Sequence, residues 1–157
     1  MAKSSGRAVS CLALAVALAA LAVALFAVLH RPDDSPEYTE TERVDAKSAI
    51  CAAFFTVRTG VATNTNLEPP GGADDITGSL AAAANARVAL YDGGQYLLAR
   101  LGAATPEDLA GQIRRFADQL MDIGAAATAG APNTDPAQSA RLRNAEDLSA
   151  QISGMCG

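Results

Sequence analysis

Residues 9–29 form an uninterrupted apolar run, VSCLALAVALAALAVALFAVL, without a charged side chain. As a helix, its 21 residues would extend about 31 Å, enough to cross the hydrocarbon core of a bilayer. Lys3 and Arg7 precede the run, and cations on that side favour a cytoplasmic N-terminus. The run therefore predicts a cytoplasmic tail (1–8), a transmembrane anchor (9–29), a juxtamembrane linker (30–36) and an extracytoplasmic domain (37–157).

A cleaved signal peptide is the alternative interpretation of the same run. Residues 22–24, AVA, have the small-x-small pattern of a cleavage site, with an apolar stretch before them. We favour an uncleaved anchor because the apolar run continues past this site to Leu29. The segment AVSC, ending at Cys11, superficially resembles a lipoprotein site. In lipoproteins the apolar region precedes the cysteine, whereas in this chain the apolar region follows it, so we reject this interpretation.

The chain beyond the apolar run is acidic. Lys3 and Arg7 are two of the 12 cations, so 10 cations stand against all 17 acids from residue 31 onward, a balance of −7. Binding to nucleic acid requires clustered cations that contact phosphates, so this balance argues against a nucleic-acid partner.

Four stretches of the predicted domain have helical periodicity, and their richness in alanine favours helices. The first is expected to begin at Ser35 or Pro36, and the third and fourth are expected to use Thr105 and Asp135 as N-caps, each followed by proline. The apolar faces of these three are Ile50, Phe54, Val57 and Val61; Leu109, Ile113, Phe116, Leu120 and Ile123; and Ala145, Leu148, Ile152 and Met155.

The second stretch is expected to be a helix capped by Asp74 or Asp75 and ended by Gly93 or Gly94. A β-hairpin turning at Asp92–Gly93 is the competing interpretation, and the alanine run before it favours the helix. The face expected to be buried consists of Ile76, Leu80, Ala84, Val88 and Tyr91.

Together these elements predict an all-α protein, an N-terminal transmembrane helix followed by a four-helix up-down bundle. In such a bundle the last helix returns beside the first, which brings Cys156 near Cys51, while Cys11 lies in the apolar run and cannot reach either. A disulfide persists outside the cytoplasm, so we predict a Cys51–Cys156 bridge. The alternative is two reduced cysteines, with Cys51 a small buried apolar residue.

No catalytic, cofactor-binding or metal-binding residues are predicted. His30, at the edge of the apolar run, is the only histidine. It is not expected to be part of a Ser-His-Asp triad or a Cys-His dyad, and no cluster of zinc ligands is present in the sequence. The glycine patterns that bind phosphate or dinucleotides are also missing from the sequence. We therefore expect a protein that is not an enzyme.

Other polar and aromatic residues have ordinary structural interpretations. Arg114, Arg115, Asp118 and Asp122 lie at helical spacing and are expected to form a solvated face with local ion pairs. Tyr91 and Tyr96 are candidates for lining a ligand cleft, although edge packing is favoured. Within the alanine-rich stretch, which also contains Arg87, Asn85 faces either the bundle interior or solvent.

Several short segments point to a resemblance: AICAAF early in the domain, AAANARVAL and TPEDLA within it, and a cysteine at position 156. With the basic N-terminal segment and the alanine-rich span, the chain resembles the small alanine-rich single-pass membrane proteins of mycobacteria and related actinobacteria. The resemblance implies a membrane location, and it supplies no activity and no site residues.

These observations predict a membrane-anchored, extracytoplasmic accessory or interaction protein of the bacterial cell envelope. Its expected partners are the membrane, through the anchor, and an envelope protein or an apolar ligand. The alternatives are a module that binds a small molecule or lipid between its helices, where small alanine side chains leave a gap, and a secreted helical protein.

Overall fold

The computed structural model describes residues 14, 16–26, 37–69, 71–72 and 74–157. These residues form helices, turns and loops, with no strand among them, so the predicted all-α class is confirmed. The chain divides into two compact units, residues 1–37 and 38–157.

In the first unit, residue 14 and residues 16–26 are helical, and their large apolar side chains are exposed. Across the described part of the chain, no helix is both long enough and apolar enough to cross a membrane. The remainder of the predicted anchor, together with the predicted linker 30–36, lies outside the described residues. The anchor therefore stays a prediction.

The second unit contains four helices: α1 (Glu40–Thr65), α2 (Ile76–Arg100), α3 (Glu107–Thr128) and α4 (Pro136–Cys156). Each helix packs against the next one in the chain. Neighbours run antiparallel, as α2 and α3 illustrate: Gly94 lies against Ala117, whereas the earlier Arg87 lies against the later Gly124. The second unit is thus a helical bundle, as predicted.

Two predicted helix starts are wrong. Residues 37–39 are not helical, so α1 does not begin at Ser35 or Pro36, which lie outside the described residues. Thr39 and Glu42 form a capping box instead, in which each side chain accepts a hydrogen bond from the other residue's backbone N–H. Helix α3 begins at Glu107 without a side-chain cap, and the hydroxyl of Thr105 is buried without a partner among the described residues.

Helix α2 corrects the sequence interpretation most strongly. Asp75 caps it as predicted, accepting a hydrogen bond from Gly78 N at 2.8 Å. The helix then continues through Gly93 and Gly94 to Arg100, so neither glycine ends it, and the hairpin alternative is also wrong. Both glycines are buried because neighbouring helices approach α2 there, and a Cβ added to Gly93 would lie 2.8 Å from Val57 Cγ1.

The core follows the predicted faces of three helices. The five stripe residues of α3 are all buried, as are Ile50, Phe54 and Val57 of α1. Ala145 and Ile152 of α4 are buried too, while Val61, Leu148 and Met155 are partly buried and pack against the core. Phe54 and Phe116 meet edge to face at its centre, with their ring centroids 5.5 Å apart.

The face predicted for α2 is wrong. Ile76, Leu80, Ala84, Val88 and Tyr91 are all exposed, and the buried residues are Leu90, Gly93, Gly94 and Leu97. The reason is geometric. Glycines let the helix approach its neighbours closely along their own side, and this turns the row of large apolar residues away from the core.

Candidate functional site

A disulfide joins the first and last helices of the bundle. Cys51 of α1 and Cys156 of α4 are bonded, with their Cα atoms 5.6 Å apart and a sequence separation of 105. This separation lies in the usual range for a bridge. The Cys51 side chain belongs to the core, and Cys156 packs against it, so the bridge is part of the packed interior at this end of the bundle.

Contacts between α1 and α4 are otherwise sparse. The three sequential helix pairs pack extensively, whereas α1 and α4 touch at few places. Near the disulfide, Arg58 Nη1 donates a hydrogen bond to Ser153 Oγ at 3.2 Å. Beyond this bond, toward the end of α1 and the beginning of α4, the side of the bundle is open.

An apolar cleft of about 410 Å³ occupies this open side. Its floor is made by buried and half-buried side chains from all four helices, and its rim carries polar residues from α1, from the residue that follows α1, and from α4. The floor includes Val61, Leu90, Phe116, Leu120, Leu142 and Ala145, and the rim includes Arg58, Asn66, Glu146 and Ser149. We call this space the α1–α4 cleft. Its volume and lining are typical of a site for a small apolar ligand.

A second cavity, of about 350 Å³, lies at the end of the bundle away from the disulfide. It is bounded by the end of α1, the first half of α2, the end of α3 and the start of α4. We call it the end cavity. Thr65, Leu90 and Leu142 line both spaces, so the end cavity and the α1–α4 cleft adjoin one another.

Arg87 is the only charged residue among those lining the end cavity. Its Nε–H is buried and has no hydrogen-bond partner among the described residues. A buried polar group normally has a partner, since leaving it unsatisfied costs about 1–3 kcal/mol. The end cavity is therefore lined by one cation, whose Nε–H lies buried without a partner, although residues 31–157 are acidic as a whole.

Gln138 forms a fixed polar wall of the same cavity. Its side chain is fully buried, its Nε2 donates to the carbonyl oxygen of Ile123 at 3.1 Å, and its Oε1 accepts from Arg141 Nη1 at 3.4 Å. Both ends of this amide are thus engaged, which holds the start of α4 against the end of α3.

The other described residues considered at the sequence level lie on the exposed surface of the bundle. Tyr91 and Tyr96 are exposed, and the Arg100 guanidinium lies 5.0 Å from the Tyr96 ring centroid. Asn85 is exposed. The predicted solvated face of α3 is exposed at Arg114, Arg115, Asp118 and Asp122. His30 and Cys11 lie outside the described residues, among which no group of three or more His, Cys, Asp or Glu side chains is placed to hold a metal ion.

The sequence did not indicate Arg87 as a cavity residue, although one signal was present. It is the only charged side chain between Ile76 and Tyr91, a segment otherwise made of apolar and small polar residues. A charge in such a segment either projects to solvent or lines a polar part of the interior, and periodicity does not distinguish the two.

Comparison with known proteins returns no match: no family model, no curated protein and no solved structure is similar to this chain. The cleft, the end cavity and the disulfide are therefore the basis for a functional assignment.

Proposed function

We propose that this chain is a membrane-anchored, extracytoplasmic helical protein of the cell envelope that acts by binding an apolar ligand and carries out no catalysis. The observation that carries the proposal is the α1–α4 cleft. Its floor is apolar, its volume suits a small ligand, and it opens on the one side of the bundle where neighbouring helices barely touch.

The proposed location is supported by two features. The uncharged run 9–29 has the length of a bilayer-spanning helix, and Lys3 and Arg7 before it favour a cytoplasmic N-terminus. The Cys51–Cys156 disulfide is a bond that persists in an oxidising compartment and is rare in the cytoplasm. The resemblance to the alanine-rich single-pass proteins of actinobacteria belongs to the same proposal.

Photo-cross-linking of the full-length chain in isolated membranes tests the binding proposal. The probe is a neutral long-chain alcohol that carries a diazirine and a terminal alkyne. We expect it to label peptides that line the α1–α4 cleft. Ala62 is exposed and lines this cleft, so Ala62→Trp is expected to block it and to abolish the labelling.

Ala52→Trp is the matched control. Ala52 is an exposed alanine on the same helix and is not among the cleft residues, so its replacement is expected to leave the labelling unchanged. Equal labelling of the two tryptophan variants would contradict the proposal, as would labelling of the wild-type chain only outside the cleft peptides.

Binding of an envelope protein is the second candidate function, and the outer face of α2 favours it. Ile76, Leu80, Val88 and Tyr91 are between 54% and 76% exposed and form a row along one helix. Exposed apolar rows of this kind often mark a protein interface. A photo-cross-linking amino acid at position 84 in intact cells should give one discrete protein adduct, which Leu80→Asp should remove; without such an adduct this candidate fails.

A further inference from the structure

The inference concerns the chemical class of ligand, and it rests on the proposed apolar-ligand function. We propose that the ligand is a single-chain amphiphile with an anionic head, whose tail lies in the α1–α4 cleft and whose head binds Arg87 in the end cavity.

The two spaces lie side by side, because Leu90 and Leu142 line both the α1–α4 cleft and the end cavity. A ligand that fills both spaces meets apolar side chains along one part and a polar group at the other end. A single alkyl chain with one polar head has this order of chemistry.

The end cavity is lined by one charged side chain. Arg87 is a cation, and neither Asp nor Glu is among the residues that line the end cavity with it. Its neighbours there include the neutral polar side chains Asn64, Asn133 and Gln138. An anionic head would therefore meet one positive charge and no negative one within this cavity.

The Arg87 side chain favours an anionic head over a neutral one. It lines the end cavity, and a carboxylate or phosphate oxygen accepts strong, charge-assisted hydrogen bonds from a guanidinium. An alcohol head would supply only a neutral acceptor. The structure therefore predicts discrimination between heads of equal tail length.

Three photo-cross-linking probes with the same tail, ending in a carboxylate, a phosphate or an alcohol, test the inference on the full-length chain in isolated membranes. We expect the better of the two anionic probes to label cleft peptides at least about tenfold more efficiently than the alcohol, the ratio that corresponds to one charge-assisted hydrogen bond. The same comparison separates a fatty acid from a phosphorylated lipid, because the preferred head identifies the source.

Arg87→Gln removes the charge and is expected to lower anionic labelling about tenfold and alcohol labelling much less. Arg87→Lys keeps a cation and should retain the preference for an anionic probe. Comparison of the two variants therefore distinguishes the effect of losing the charge from the effect of disturbing the fold. Arg114→Gln, at an exposed arginine of α3, is the control for net charge and should change neither probe.

The outcomes separate this inference from the function on which it rests. Equal labelling by all three probes, unaffected by Arg87→Gln, would overturn the role of Arg87 while the apolar cleft remained the binding site. Loss of the anion preference in Arg87→Lys as well as in Arg87→Gln would also overturn a charge-based role. Labelling of no cleft peptide by any probe would overturn both proposals.

Discussion

Gly94 of α2 lies directly against the backbone of Ala117 in α3. A Cβ atom added to Gly94 would lie 2.7 Å from the Ala117 carbonyl oxygen, closer than atoms in folded proteins normally come. Because that obstacle is main chain, it cannot move aside as a side chain can. The close approach of α2 and α3 therefore depends on a glycine at this position.

Gly94→Ala is expected to lower the free energy of unfolding by about 1–3 kcal/mol, the usual cost of overpacking. Gly111→Ala is the matched control, since Gly111 lies within α3 with nothing near the added methyl group. Alanine is the better helix former, so this variant should gain about 0.5–1 kcal/mol. Urea unfolding followed by circular dichroism measures both, and equal effects at the two sites would refute this packing.

Leu80 and Leu90 distinguish the buried face of α2 from the face that periodicity predicted. Leu80 is 66% exposed and Leu90 is 6% exposed, although both lie on the same helix. We expect Leu90→Ala to cost about 2–5 kcal/mol of stability and Leu80→Ala less than about 0.5 kcal/mol. Thermal melts of the two variants check this, and a larger loss for Leu80→Ala would restore the predicted face.

The difference between these leucines shows where reasoning from sequence succeeds and where it fails. In α3, apolar residues recur every three or four positions among polar ones, so only one face can be buried, and Leu109 to Ile123 are buried as predicted. In α2, alanine and glycine occupy much of the helix, and several faces are equally able to pack. The buried face of α2 is the one at Gly93 and Gly94, where neighbouring helices approach most closely. The spacing of large apolar residues does not reveal such an approach.

The candidate site was predictable only in part. The Cys51–Cys156 pairing follows from antiparallel helices, and the structure has this bond. The α1–α4 cleft does not follow from any local pattern, because it depends on how far two helices separate beyond the disulfide. The position of Arg87 in a cavity was also not predictable. The direction of its side chain depends on the rotation of α2 about its own axis, and the predicted buried face of α2 was wrong.

Removal of the disulfide should destabilise the bundle without changing its fold. The bridge closes a loop across 105 residues of sequence separation, so we expect the Cys51→Ala/Cys156→Ala variant to lose about 2–5 kcal/mol. Reduction of the wild-type protein should lower stability by a similar amount, which controls for the loss of the sulfur atoms. Unchanged stability after complete reduction would show that the bridge does not constrain the chain.

The capping box of α1 predicts a specific acid titration. Two hydrogen bonds from Thr39, one from its backbone N–H and one from its hydroxyl, hold the pKa of Glu42 below its usual 4.5. A carboxyl group whose pKa is lower in the folded state than in the unfolded state stabilises the folded state at pH values above the unfolded-state pKa. This contribution is lost as the pH falls through the lowered value.

Carbon-13 NMR of the Glu42 carboxyl checks this prediction. Its pKa should lie below 4.5 in the wild-type chain and should rise part of the way back in Thr39→Val, because the backbone hydrogen bond remains. Titration of Glu42 at or above 4.5 in the wild-type chain would be inconsistent with the capping box.

The proposed function in the cell envelope requires residues 38–157 to lie outside the cytoplasm with Cys51 and Cys156 oxidised. Intact cells treated with a membrane-impermeant maleimide, with and without reductant, measure both properties when the protein is then analysed by mass spectrometry. We predict that the two cysteines are labelled in intact cells only after reduction. Labelling of both without reductant would contradict the disulfide. Labelling only after lysis, without reductant, would contradict the proposed location.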